Sequence, residues 1–255
     1  MDLSSVFSLD GKVALITGAS KGIGFGIAEV FAAAGAKVVI SSRKQDALDE
    51  KANQLKSQGY EATGIACNVG NMPELTQLVE KAVEKYGTID ILVNNAAVNP
   101  VFGPVHETSL EAFDKIMNVN VKAPFELCRL CFPYLRRSSG ASVINISSIG
   151  GLSPESGLGI YSVSKAALIS LTKVYAKEWG EAKIRVNAIC PGLIETKFSE
   201  ALWSNDKIMG SIIKKLAIKR SGTSEEVGLM ALFLAASASS YTTGGIFTAD
   251  GGFTI

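Results

Sequence analysis

Tyr161 and Lys165 stand four residues apart in Tyr161-Ser162-Val163-Ser164-Lys165, at the head of a stretch with helical periodicity that runs to Trp179. Residues four apart share one face of a helix, so phenol and ammonium project side by side. A free phenol titrates at about 10 and is a poor base at neutral pH. A neighbouring ammonium favours the phenolate, which makes the pair a device for moving a proton to and from an oxygen atom. Taken alone the pattern is common, and a plain helix start explains it as well. A second group is less ordinary. Thr17-Gly18-Ala19-Ser20-Lys21-Gly22-Ile23-Gly24 follows an apolar run, Lys12 to Thr17, and opens a helical pattern, Ile23 to Ala34. Glycines there let the backbone approach a ligand closely. The helix start offers free N–H groups and the positive end of its dipole to phosphates. The chemistry implied is proton transfer beside a bound dinucleotide.

Other reactive types point elsewhere. His106 is the only histidine, lies between Val105 and Glu107, and reads as a surface residue. Cys128 and Cys131 form a C-x-x-C inside the apolar stretch Phe125 to Leu135 and read as small buried hydrophobes. A zinc site would need further nitrogen or sulfur ligands, so no metal is expected. The balance of 25 Lys+Arg against 24 Asp+Glu leaves no basic footprint for nucleic acid or an anionic membrane. No apolar run reaches the roughly 18 residues of a membrane span. Met1-Asp2-Leu3-Ser4-Ser5 lacks the basic start of a secretory signal, and Gly251-Gly252-Phe253-Thr254-Ile255 is not a peroxisomal tripeptide. The expected address is cytoplasmic.

The elements that must hold these groups alternate. Strands are expected at Lys12–Thr17, Lys37–Ser41, Ala62–Cys67, Asp90–Asn94, Ser142–Ile146, Ile184–Ile189 and Gly245–Ala249. Helices fall at Ile23–Ala34, Gln45–Ser57, Pro73–Tyr86, Leu110–Leu135, Tyr161–Trp179 and Glu225–Ala236. Continuous apolar strands mean burial on both faces, and strand–helix–strand order means parallel pairing. The fold class is α/β: a doubly wound, parallel, seven-stranded sheet with helices on both faces, Rossmann-like. Residues 1–255 are read as one domain, with residues 150–160 and a lid at about 192–222 placed beside the carboxyl ends of the strands, where ligands bind.

The spacing Thr-Gly-x-x-x-Gly-x-Gly resembles that of the short-chain dehydrogenase/reductase family. Further matches occur in the family's order: Asn94-Asn95-Ala96-Ala97, Asn120, Asn145-Ile146-Ser147-Ser148, Tyr161 with Lys165, and Pro191-Gly192-Leu193-Ile194-Glu195-Thr196. The resemblance spans about Gly11 to Gly252. Ala97 departs from the family's usual glycine, and Asn68 stands where an acid commonly follows the third strand. In outline the chain resembles the branch of NADP-dependent carbonyl reductases and retinol dehydrogenases, over Ser41–Gln45, Ile89–Pro100, Asn120–Pro124 and Gly192–Trp203.

What the resemblance implies is a catalytic tetrad of Asn120, Ser148, Tyr161 and Lys165. Tyr161 is then general acid and base, Ser148 orients the carbonyl oxygen, and Lys165 also holds the nicotinamide ribose. Asn120 supports a water that relays the proton. The implied cofactor contacts are Gly18, Ser20, Lys21, Gly22, Ile23, Gly24, Ser42, Arg43, Asn68, Val69, Asn95, Ala96, Ala97, Tyr161, Lys165, Pro191, Gly192, Ile194 and Thr196. NADP(H) rather than NAD is expected. Ser41-Ser42-Arg43-Lys44 carries no acid for the ribose hydroxyls, and Arg43 presents a planar fork to a 2′-phosphate. Lys21 resembles the second basic residue of the NADP-using members.

The expected substrate is a small carbonyl compound or alcohol. An apolar lid of Leu193, Ile194, Phe198, Leu202, Trp203, Ile208, Met209, Ile212 and Ile213 suggests that it is apolar, although core packing of a helix would produce the same pattern. The family pattern implies a homotetramer, its main face built from the helices near 110–135 and 161–179. A 3-oxoacyl-[acyl-carrier-protein] reductase, with Arg129, Arg136 and Arg137 at the rim, is one alternative. A non-catalytic dinucleotide sensor is another, but such a protein would be free to lose Tyr161 or Lys165.

Overall fold

The computed structural model describes residues 3–196 and 206–255. Its strands are β1 (Val13–Thr17), β2 (Lys37–Ser42), β3 (Ala62–Ala66), β4 (Ile91–Asn94), β5 (Ala141–Ile146), β6 (Ile184–Pro191) and β7 (Ile246–Ala249). They form one sheet in the order β3-β2-β1-β4-β5-β6-β7, with every pairing parallel. The helices are α1 (Leu3–Phe7), α2 (Gly22–Ala33), α3 (Gln45–Ser57), α4 (Met72–Tyr86), α5 (Leu110–Met117), α6 (Ala123–Leu135), α7 (Gly159–Trp179), α8 (Asp206–Lys215) and α9 (Ser224–Ala235).

Successive residues of a strand face opposite sides, and both sides here are buried. Ile16 and Ile40 pack with Ile27 and Phe31 of α2, Leu48 of α3 and Leu234 of α9. Leu15 and Val39 pack with Leu75 of α4, Leu127 of α6 and Tyr175 of α7 on the other side. The doubly wound architecture expected from the apolar runs is therefore the one observed. Strand order reverses between β1 and β4, whose carboxyl ends open the crevice where such sheets bind ligands.

Three elements differ from expectation: α1 is a short helix not expected from the sequence, and two others differ in extent. β6 runs on through Cys190 and Pro191, because Thr248 and Ala249 of β7 extend the ladder beside them. The single helix expected over Leu110–Leu135 is two helices, joined by a π-turn at Asn118–Lys122. Pro124 has no N–H to give to the carbonyl of Asn120, four residues back, so an α-helix cannot close there. Such turns are frequent at functional sites.

The apolar residues of α5–α7 divide. Ile116, Leu127, Leu168 and Tyr175 are buried in the core, whereas Phe113, Phe125 and Val174 are exposed. Cys128 and Cys131 are fully buried, and burial pushes the Cys128 thiol up to about 12. Among the described residues no helix is long and apolar enough to cross a membrane, and no cluster of His, Cys, Asp or Glu has the makings of a metal site.

Candidate active site

The loop after β1 turns through Gly18 (φ +66°) and Gly22 (φ +58°), a region that disfavours side chains. It is also tightly enclosed. A Cβ on Gly24 would lie 2.5 Å from Asn95 Nδ2 and 2.6 Å from the Gly18 carbonyl oxygen. Asn95 Nδ2 donates to the carbonyls of Thr17 (2.8 Å) and Gly18 (3.1 Å), and Thr17 Oγ1 accepts from the N–H groups of Asn95 (3.1 Å) and Ala96 (3.2 Å). Asn95 and Ala96, expected as cofactor contacts, thus also brace the glycine loop. Thr196 comes over the same loop, with its Cγ2 3.1 Å from where a Cβ of Gly22 would be.

The loop leads into α2, whose N-cap, Lys21, makes no side-chain capping bond. The first N–H groups of a helix need partners, and an anion supplies them. A glycine-lined backbone, tightly enclosed and ending in an uncapped helix start, fits the pyrophosphate of a dinucleotide. At the end of β2, Ser42 is half-buried and Arg43 exposed, as is Lys21, and no acidic side chain precedes Asp46. Among the described residues no ion pair engages Arg43 or Lys21. After β3 comes exposed Asn68, then Val69, which packs into the core.

The four expected catalytic residues come together beside β5 and the first turns of α7. The Tyr161 phenol hydrogen-bonds the Ser148 side chain, and Ser148 Oγ accepts from the Gly150 N–H (3.1 Å). Lys165 Nζ lies 5.6 Å from the centre of the Tyr161 ring and donates to the Ile146 carbonyl (2.8 Å). Asn120, in the π-turn, is 1 % exposed. Its Oδ1 accepts from the Val98 N–H (2.9 Å), and its Nδ2 donates to the Val98 carbonyl (3.0 Å) and to Ser164 Oγ (3.0 Å). Ser164 Oγ in turn donates to the Tyr161 carbonyl (2.7 Å).

Burial dominates the electrostatics. It pushes the Tyr161 phenol up to about 12, partly opposed by the Ser148 hydrogen bond. It pulls the Lys165 ammonium down to about 8. The expected lowering of the phenol by the lysine is therefore not seen in the protein alone; the ammonium is turned toward the Ile146 carbonyl.

Sequence reasoning missed three supports. Ser147 Oγ donates to the Lys165 carbonyl (2.9 Å), Ser164 joins Asn120 to α7, and buried Cys190 lies against Ser147 and the Ser148 N–H. Ser164 is three residues from Tyr161, a helical spacing that could have marked it. Ser147 and Cys190 meet only because β5 and β6 pair in parallel, with Ile146 opposite Ile189.

The lid is only partly described. Phe198, Leu202 and Trp203 lie outside the described residues, as does the side chain of Ile208. Leu193, Met209, Ile212 and Ile213 are half-buried. Ile194 is not a wall residue: it is 5 % exposed and packs in the α2 side of the core, bridged to Gly222. Full burial of such a side chain is worth about 1.5–3 kcal/mol, which favours the core over a solvent-facing wall.

Residues 18–254 match the sequence model of a family described as enoyl-(acyl carrier protein) reductase. Dehydrogenase/reductase SDR family member 4 of Oryctolagus cuniculus is 44% identical over 244 residues, covering 96% of this chain and 94% of that one. Tropinone reductase-like 3 of Erythroxylum coca is 42% identical over 243 residues, covering 95% and 93%. A crystal structure of a gluconate 5-dehydrogenase from Burkholderia cenocepacia, in complex with NADP and tartrate, superposes with a TM-score of 0.95 at 28% identity, covering 99% of each chain. Likeness at this level over nearly the whole chain places the protein in the short-chain dehydrogenase/reductase family of oxidoreductases.

Proposed function

We propose that the protein is an NADP(H)-dependent oxidoreductase that reduces an apolar ketone or aldehyde to an alcohol, or runs the reverse, with Tyr161 as general acid and base. The observation that carries the reading is the buried Tyr161–Ser148 hydrogen bond with Lys165 beneath the phenol ring. The dehydrogenase/reductase name of the rabbit relative and the NADP in the gluconate 5-dehydrogenase structure support it.

Gly18, Ser20, Gly22, Ile23 and Gly24 would hold the pyrophosphate, and Ser42, Arg43 and Lys21 the 2′-phosphate. Asn68 and Val69 would meet the adenine. Asn95, Ala96, Ala97 and Lys165 would meet the nicotinamide ribose, and Pro191, Gly192, Thr196 and the main chain of Ile194, whose side chain is in the core, the nicotinamide end. When bound, the nicotinamide supplies or accepts the hydride.

The protein's own part is the proton. Ser148 Oγ orients the substrate oxygen next to the phenol, an oxyanion-type role. Tyr161 Oη gives its proton to that oxygen as negative charge builds there. With its pKa held high, the phenol is protonated at neutral pH, which suits the reducing direction. The Asn120 amide is committed to Val98 and Ser164, so the relay water falls to its main-chain carbonyl, the group Pro124 cannot serve. Residues 192–222 form the substrate lid. Its base is closed by Gly222 N–H on the Leu193 carbonyl (3.0 Å) and Glu195 N–H on the Gly222 carbonyl (3.3 Å).

Cofactor choice tests the reading most directly. The unmodified protein is expected to use NADPH with a kcat/KM well above that for NADH. Arg43→Asp should reverse the order, because it removes the phosphate's partner and adds an acid for the ribose hydroxyls. Equal efficiency with the two cofactors before any substitution sinks the assignment.

Self-association fits the exposed Phe113, Phe125 and Val174. Beside them lies a groove of about 560 Å³, lined by Met117, Val121, Phe125 and Leu171 with Asp114, Asn118 and Lys122 at its edges. A second copy placed symmetrically would cover this face, as in the homotetramer expected from the family. Light scattering at micromolar concentration should return an oligomer; a monomer would show the idea to be wrong.

A further inference from the structure

The π-turn carries two asparagines, and each commits its side chain to a different half of the cleft. Residues two apart in a helical turn do not share a face, so one short segment reaches both ways. Asn120 grips Val98 through both its N–H and its carbonyl, at the end of the cleft where the tetrad sits. Asn118 reaches the other end. Its Nδ2 donates to the Gly70 carbonyl at 2.8 Å.

Gly70 closes the turn that follows β3. Within that turn the Gly70 N–H donates to Asn68 Oδ1 (3.2 Å), and the Asn71 N–H donates to the Asn68 carbonyl (2.8 Å). Glu74 of α4 grips the turn from one side, accepting from the Asn68 N–H (2.7 Å) and from Asn71 Nδ2 (2.8 Å). Asn118 grips it through the Gly70 carbonyl. The turn lies close against the segment: a Cβ on Gly70 would meet Val119 Cγ2 at 3.4 Å and Asn118 Nδ2 at 3.5 Å. Gly70 and Asn118 are half-buried, where an amide N–H and a carbonyl each lose more by going unpaired than they would in water.

We propose that Asn118 is a positioning residue for the adenosine half of the cofactor site, setting Asn68 and Val69 through the Gly70 carbonyl. The π-turn then locates both ends of one extended ligand: Asn118 at the adenosine end, Asn120 at the reacting end. The inference rests on the dinucleotide reading above, and it assigns Asn118 no contact with ligand or substrate.

Two variants separate the hydrogen bond from packing. Asn118→Ala removes the side chain, whereas Asn118→Asp keeps its shape but has no N–H and sets a carboxylate against the Gly70 carbonyl. NADPH and NADH are titrated in parallel by fluorescence, and kcat is measured at saturating cofactor. Amide hydrogen exchange over residues 66–72 is followed in the protein alone, with light scattering as a check because Asn118 borders the self-association groove.

Both variants are expected to raise the Kd of the dinucleotide that the unmodified protein binds by roughly three- to tenfold, the scale of one neutral hydrogen bond. They should leave kcat within about twofold, quicken exchange in 66–72 severalfold and keep the assembly unchanged; Asn118→Asp should be at least as impaired as Asn118→Ala. Unchanged Kd overturns the proposal, whether or not exchange quickens, and so does a weakened Kd that appears only with a changed assembly. A kcat that falls while Kd holds overturns it as well. If NADH binds better than NADPH, the cofactor preference fails while the Asn118 role is judged on NADH. Failure of the unmodified protein to bind either dinucleotide overturns both.

Discussion

Tyr161→Phe is expected to lower carbonyl reduction by roughly two or more orders of magnitude, the usual contribution of a positioned acid, while NADPH affinity changes little. The substitution keeps a ring that is 9 % exposed and the helix start around it, and removes only the oxygen bonded to Ser148. Lys165→Ala should lose turnover and also weaken NADPH binding, because the same ammonium is assigned to the ribose. The pH profile follows from that ammonium. With its pKa drawn down to about 8, it is charged below that value and neutral above it. The kcat/KM for reduction should therefore be level at neutral pH and fall as pH rises through about 8. Steady-state rates over a carbonyl panel, including an acetoacetyl thioester, supply the measurement. A Tyr161→Phe protein that reduces carbonyls near the original rate removes this mechanism. Tight NADPH binding with no turnover across the panel would favour the sensor.

Gly24→Ala is the second large effect, and its cause is purely steric. Gly24 lies in α2 and needs no unusual φ, yet its Cβ would sit 2.5 Å from Asn95 Nδ2, 2.6 Å from the Gly18 oxygen and 3.0 Å from Ala19 Cα. None of these atoms yields cheaply: two belong to the loop backbone, and the Asn95 amide is already bonded to the Thr17 and Gly18 carbonyls. The expected cost is about 1–3 kcal/mol of stability, as for other overpacked sites. NADPH affinity should drop by at least roughly tenfold, because the loop that meets the pyrophosphate must shift, and close positioning is what such loops supply. Gly210→Ala is the control. Gly210 lies in α8, has nothing within 4 Å of its Cβ position, and should gain up to about 1 kcal/mol from the better helix former. Urea unfolding and fluorescence titration compare the two. Wild-type affinity in Gly24→Ala would show that the loop is looser than its contacts imply.

The strands and the tetrad were legible in the sequence for different reasons. Runs such as Val13-Ala14-Leu15-Ile16 are apolar at consecutive positions, and only a strand covered on both faces needs that. Tyr161 and Lys165 were legible because helical spacing is local. The π-turn was not: Ile116, Val119, Ala123 and Leu127 keep a helical rhythm straight through it, and only Pro124 hints at the break. Nor was the bracing role of Asn95, since it depends on Thr17 and Gly18 arriving from a strand 78 residues away. Ile194 shows a third limit. An apolar residue just past a strand reads the same whether it faces substrate or core, and here it faces the core.

The two main-chain bonds between Leu193, Glu195 and Gly222 have a consequence for how freely the stretch between them can change in length. They hold the two ends of the intervening stretch together at its base. The entropy of closing a loop grows only as the logarithm of its length, about 0.6 kcal/mol for each doubling. Closure itself therefore penalises a change of length in that stretch very little; what anchors it is packing, since Leu216 is 2 % exposed and the Ile218 N–H donates to the Gly251 carbonyl (2.9 Å).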